Sequence, residues 1–168
     1  PLVVVPGIEI TSQEEVHLLA YFKHYEALDA FYQAMETHLP ARENRPDIFG
    51  RQYLFDLNDE VTGEDPRLLM NAVQLSFDRL VQLIREYQGV PVPAHVDRGS
   101  FSVYANMGFM PAGLPIQVVE VTQGYDKNAS AHMRKELSSF RHLISSDAHN
   151  LGNILEQVFF IDLKDPTM

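Results

Sequence analysis

The hydrophobic positions fall into short runs of two different periods. LVVV and, beyond the Pro6-Gly7 turn, IEIT read as a β-branched strand running into a loop. VHLLAYF, residues 16–22, reads as a short apolar strand. In HYEALDAFYQAMETHL the apolar residues Leu28, Phe31, Tyr32, Met35 and Leu39 recur at helical spacing. The polar stretch that follows holds one candidate strand, residues 52–57. Asp65-Pro66 predicts the start of the clearest helix, with Asp65 as cap and proline at the first helical position. Its apolar stripe is Leu69, Val73, Phe77, Leu80, Val81, Ile84 and Tyr87, and Gly89 ends it.

VPVPAHV reads as a strand entering a loop, although its prolines suit a central strand poorly. SFSVYANMGF predicts a short helix, residues 116–122 (IQVVEVT) a strand, SAHMRKELSSF a helix and HLISS the last strong strand. LEQVFFIDLK closes the chain as a helix turning into a strand. Alternating strands and helices predict an α/β architecture. No repeat, low-complexity segment or linker divides the 168 residues, so they read as one domain, 1–168. The chain opens directly on a buried-type strand, the pattern expected inside a longer protein.

Charge and composition narrow the chemistry. Thirteen basic and 23 acidic residues give a net charge of −10, which argues against non-specific binding to nucleic acid or anionic membranes. It leaves a phosphorylated substrate open, because bound cations can reverse a local field. Without cysteine there is neither a disulfide nor a thiolate metal site, whereas seven histidines suit nitrogen-and-oxygen ligation. No apolar run is long enough to span a bilayer and no signal peptide is visible, so a cytoplasmic location is expected.

Candidate strands end in metal-capable side chains: Glu9 after LVVVPGI, His95 after VPVPA, and Asp147 with His149 after HLISS, while His17 begins another. In barrels of parallel strands, active sites gather at such ends. Mixed His, Asp and Glu ligation suits Zn²⁺, Mn²⁺ or Fe²⁺ better than Mg²⁺ or Ca²⁺, and a carboxylate between histidines can bridge two ions. Arg98 lies close enough in sequence to His95 to fork onto phosphate oxygens. Each residue also has a plain structural reading. Glu9 can be a loop charge or a cap, His17 a core histidine, His95 a turn residue, Asp147 the cap of a helix over 148–155, and Arg98 the partner of Asp97. His24, His38, His132 and His142 lie at helix ends among charged neighbours and read as solvated.

VPGIEITSQEEVHLLAYF, PAHVDR and ISSDAHN resemble segments of the PHP (polymerase and histidinol phosphatase) family of metal-dependent phosphoesterases, in the same order and over most of the chain. The resemblance implies a distorted seven-stranded (βα) barrel with two or three divalent metal ions, Zn, Mn or Fe, at its strand ends. It implies Glu9 as a bridging glutamate, His17 as the histidine of the next strand, and His95 as the histidine of an AHP motif. Asp147 and His149 match the closing SD-x-H ligands, and Arg98 resembles a phosphate-contacting arginine. Val96 stands where the family has proline, and the family's opening H-x-H and T-D-H segments do not occur here. The first strands are therefore expected to be missing from this chain and supplied by the same protein or by a second chain. The expected activity is metal-dependent hydrolysis of a small phosphate ester by activated water, with a small phosphorylated substrate, no membrane and no long nucleic acid as partner. The alternative is a non-catalytic module that senses metal or phosphate.

Overall fold

The structure is a computed structural model and describes residues 3–154 and Phe159. Its elements are β1 (Gly7–Thr11), β2 (His17–Tyr21), α1 (Tyr25–Glu36), α2 (Pro46–Phe49), β3 (Tyr53–Phe55), β4 (Val61–Glu64), α3 (Phe77–Glu86), β5 (Val90–Pro93), α4 (Val103–Asn106), β6 (Val118–Val121), α5 (Tyr125–Asn128), α6 (Ala131–Leu137) and β7 (Arg141–Ile144). A 3-10 turn follows at Leu151–Asn153. The predicted closing helix and strand, LEQVFFIDLK, lie outside the described residues apart from Phe159.

The expected (βα) barrel is not formed among the described residues. The strands make three separate sheets: antiparallel β1-β2-β5, the antiparallel hairpin β3-β4, and the parallel pair β6-β7. Two local features explain the departure. Residues 12–16 are too short a connection to return a strand in parallel, which takes roughly a dozen residues or more, so β1 and β2 pair as a hairpin. In β5 the amides of Val92 and Ala94 alternate with Pro91 and Pro93, and Ala94 donates to the His17 carbonyl of β2 at 3.1 Å. The prolines thus fall on the side away from β2 and offer no donors there. β5 lies beside β6 without a ladder, and the first backbone–backbone hydrogen bond between the two regions comes past the prolines, from the Val96 amide to the Glu120 carbonyl at 2.9 Å.

A second correction concerns the central helix. It starts at Ser76, whose hydroxyl caps the Arg79 amide at 3.3 Å, and not at Asp65. The Asp65 carboxylate is taken locally, accepting from the Arg67 amide at 2.9 Å and from its guanidinium. Residues 66–75 then run as an irregular segment tied to β1 by Val73 N–H to the Thr11 carbonyl at 2.9 Å. Leu69 and Val73 matched the helical period by coincidence: Leu69 is exposed, and Val73 joins the core from an irregular segment. Val3, Val4 and Val5 are also exposed and outside any strand, so these residues are not the first strand, which runs instead over Gly7–Thr11; Leu2 lies outside the described residues.

The core forms where the apolar face of α3 (Phe77, Leu80, Val81, Ile84) meets Leu18 and Ala20 of β2 and Phe31 of α1. Gly89 is fixed by this packing, since a Cβ there would lie 2.6 Å from Phe22 and 2.7 Å from Ile84. The opposite face of β2, bearing His17, Leu19 and Tyr21, is only partly covered, and there the polar residues gather. No helix among the described residues is long and apolar enough to cross a membrane.

Candidate metal centre

Glu9 and His17 meet because of the hairpin register. Glu9 pairs with Leu19 and Thr11 with His17, so Glu9 and His17 are diagonal neighbours on one face. Their side chains touch, with His17 Nδ1 3.0 Å from Glu9 Oε1. Gly7 opposite Tyr21 keeps the strands close, because a Cβ there would lie 2.8 Å from the tyrosine ring. His95 arrives from beyond the end of β5, with Nε2 3.3 Å from His17 Nδ1 and 3.7 Å from Glu9 Oε1.

The environments of the three differ. His95 is buried, and its Nδ1 has no hydrogen-bond partner among the described residues. His17 and Glu9 are partly exposed. The Phe101 ring stacks on His17 at 4.9 Å between centroids, and its carbonyl accepts the His17 amide at 2.9 Å. Hydrogen bonding from His17, then from His95, holds the Glu9 carboxyl down at about 2, against a smaller opposing effect of burial. Burial, followed by the charges of Glu120 and Glu9, pushes the Tyr21 phenol upward.

Two imidazoles and a carboxylate each offer a ligand atom here, all within 4.8 Å of one another. Two ring nitrogens facing each other at 3.3 Å share at most one proton between them, and the carboxylate beside them is acceptor-only when ionised. A divalent cation satisfies all three donors at once, and the donor set suits Zn²⁺, Mn²⁺ or Fe²⁺. The residues fit such an ion.

The other predicted residues are placed differently. The Asp147 carboxylate pairs with the Arg98 guanidinium at 2.5 Å and is not part of the three-residue group. His149 is largely exposed, its Nδ1 lying 2.9 Å from the backbone carbonyl of Asp147. It lines a cleft of about 600 Å³ together with Glu9, His17 and Phe101. Asp147 lines a separate hollow of about 230 Å³ with His95 and Arg98. The plain readings of both Asp147 and Arg98 also fail. No helix starts at Asp147, and Arg98 pairs with Asp147 rather than Asp97, whose carboxylate accepts the amide and hydroxyl of Thr122 at 2.8 and 2.5 Å.

Sequence reasoning passed over Glu120 and Phe101. Glu120 is buried on β6, accepts the His95 amide at 2.9 Å through Oε2, and accepts the Ser145 hydroxyl through Oε1. Its signal was a carboxylate in the middle of the apolar run VVEV. Phe101 carried no signal beyond being an aromatic in a loop. His95, Phe101 and Asp147 all have positive φ, +30°, +52° and +47°. Such backbone costs on the order of 1–3 kcal/mol per residue and persists only where surrounding contacts impose it.

No family model matches the chain, and no curated protein does. Two solved structures share its fold. One is a lesion-specific endonuclease, PfuEndoQ from Pyrococcus furiosus, with TM-score 0.58 and 18% identity over 85% of this chain. The other is an Endonuclease Q in complex with a 27-mer duplex substrate carrying an abasic lesion at the active site, with TM-score 0.55 and 16% identity, again over 85% of this chain. The chain spans 30% of the first neighbour and 31% of the second. The expectation of a small phosphorylated substrate, with no long nucleic acid as partner, does not survive the second neighbour, whose substrate is duplex DNA. Net charge averages over the whole surface, whereas phosphate contact is decided by the field at the site.

Proposed function

We propose that this chain is the metal-holding part of a metal-dependent phosphodiester hydrolase acting on nucleic acid. The observation that carries the reading is the convergence of Glu9, His17 and His95. The sequence resemblance and the endonuclease neighbours support it from two further directions, at the level of a PHP-type superfamily.

Glu9, His17 and His95 would hold a divalent ion, which supplies Lewis-acid activation of water and neutralisation of phosphate charge. Glu9 stays ionised over the working pH range because its histidine neighbours hold its carboxyl down, so it brings negative charge to the ion without waiting to lose a proton. His95 approaches from a buried position, which fixes the ring and limits water on that side. Arg98 borders the hollow that His95 also lines, and its planar fork suits two oxygens of a phosphodiester. Asp147 keeps that guanidinium oriented until phosphate competes for it.

The test is metal analysis and nicking of a duplex with one abasic site, using the chain loaded with Zn²⁺, Mn²⁺ or Fe²⁺, alongside Glu9→Gln. Stoichiometric metal and metal-dependent nicking, both lost in the variant, are expected. Failure to hold any of the three ions, or nicking that Glu9→Gln leaves intact, overturns the proposal. Stoichiometric metal without nicking favours the sensing module instead.

A further inference from the structure

We propose that Glu120 is the positioning residue of the centre: its carboxylate fixes the backbone turn that swings the His95 ring toward Glu9 and His17. The structural half of this claim stands on its own. Its consequence for metal rests on the reading of Glu9, His17 and His95 as ligands.

The need for such a residue follows from strand geometry. β2 and β5 pair Leu18 with Pro93, and one step further Ala94 stands opposite His17, bonded to its carbonyl at 3.1 Å. Opposed residues of an antiparallel pair point to the same face, and the next residue points to the other. An extended chain would therefore carry His95 away from His17. Instead His95 adopts φ +30°, and its Nε2 reaches 3.3 Å from His17 Nδ1.

Glu120 holds two successive amides of that turn. Its Oε2 accepts His95 N–H at 2.9 Å, and its backbone carbonyl accepts Val96 N–H at 2.9 Å. The second carboxylate oxygen accepts the Ser145 hydroxyl just past β7, so the acceptor cannot swing away freely. Glu120 is 5% exposed and forms no ion pair among the described residues. A buried carboxylate without a cation is unfavourable for the fold alone. It makes sense as an acceptor of the right reach for an amide that must be held in an uncommon conformation beside a metal-binding histidine.

The experiment compares wild type with Glu120→Asp and Glu120→Gln. Aspartate keeps the charge but withdraws the acceptor by one methylene, whereas glutamine keeps an oxygen at the same reach. Amide hydrogen exchange is measured at His95 and along β2 in the metal-free protein. Zn²⁺ affinity is measured by competition with a chromophoric chelator, and the visible spectrum of the Co²⁺-loaded protein is recorded. In Glu120→Asp, His95 exchange is expected to rise while β2 stays protected, Zn²⁺ affinity to fall about 10–100-fold and the Co²⁺ spectrum to change. Glu120→Gln is expected to remain within about threefold of wild type in affinity. The proposal is overturned if Glu120→Asp leaves His95 exchange and Zn²⁺ affinity unchanged, if β2 loses protection together with His95, or if Glu120→Gln fails as badly as Glu120→Asp. A wild-type chain that binds no Zn²⁺ but shows the predicted exchange pattern refutes the metal reading and leaves the positioning claim intact.

Discussion

The hairpin face of β1 and β2 and the segment past β7 carry the same kinds of residue, an acid and a histidine close together, yet they behave differently. Glu9 and His17 are bound into a ladder whose register leaves them one arrangement, and His95 is added by a turn that a buried carboxylate holds. Asp147 and His149 lie beyond the last strand pairing, where the acid turns to Arg98 and the ring stays in solvent. Register converts a sequence neighbourhood into a geometry, and spacing past a strand end does not.

The largest effect that can break this comparison is loss of a donor from the converging three-residue group. His95→Ala is expected to lower Zn²⁺ affinity by more than about 100-fold, above what changes to surrounding groups alone cause. His149→Ala is expected to stay within about threefold in the same titration. Equal losses would show that the two regions form a single site.

The next effect is acid sensitivity of the metal-free fold. The folded Glu9 carboxyl titrates at about 2 and its ordinary value is 4.5. A depressed folded value means a stabilising contribution that is fully present above the ordinary value and is lost as pH falls toward the folded one. Denaturant midpoints should therefore drop between pH 5 and pH 3 for wild type, and less steeply for Glu9→Gln. Parallel curves for the two proteins would contradict the Glu9–His17 contact.

Phe101→Leu sharpens the comparison further. The stacked ring contributes roughly 0.5–1.5 kcal/mol, so removing it should weaken Zn²⁺ binding roughly two- to twelvefold through a looser His17. The smallest effect belongs to the far region. Breaking the Arg98–Asp147 pair with Asp147→Asn should change global stability by less than about 1 kcal/mol, because the arginine is 42% exposed and solvent screens the pair. Thermal unfolding of the metal-free variant reads this directly.

Much of the strand layout was legible in the sequence because β-branched runs and prolines report local preference. The segments containing β2, β5, β6 and β7 were marked, whereas the first strand was placed one segment early, with Glu9 beyond its end rather than inside β1. The barrel was not correctly inferred from them, because strand direction depends on connection length and on which side the prolines of β5 face. The early start assigned to α3 failed because Asp65 finds Arg67 before it finds free helix amides. At the site, metal-capable side chains could be picked out by type, but Asp147 and Arg98 gave no sequence sign that they would choose each other across 49 positions. Glu120 was visible as a charge in an apolar strand, and its meaning required knowing that β6 lies beside the turn after β5.

In the proposed function Glu9, His17 and His95 share one cation. Crystals grown with Zn²⁺ or Mn²⁺, with anomalous data collected at the metal edge, test it most directly. A peak is expected within bonding distance of Glu9 Oε1, His17 Nδ1 and His95 Nε2. A peak elsewhere, or none between these atoms at full loading, would contradict it.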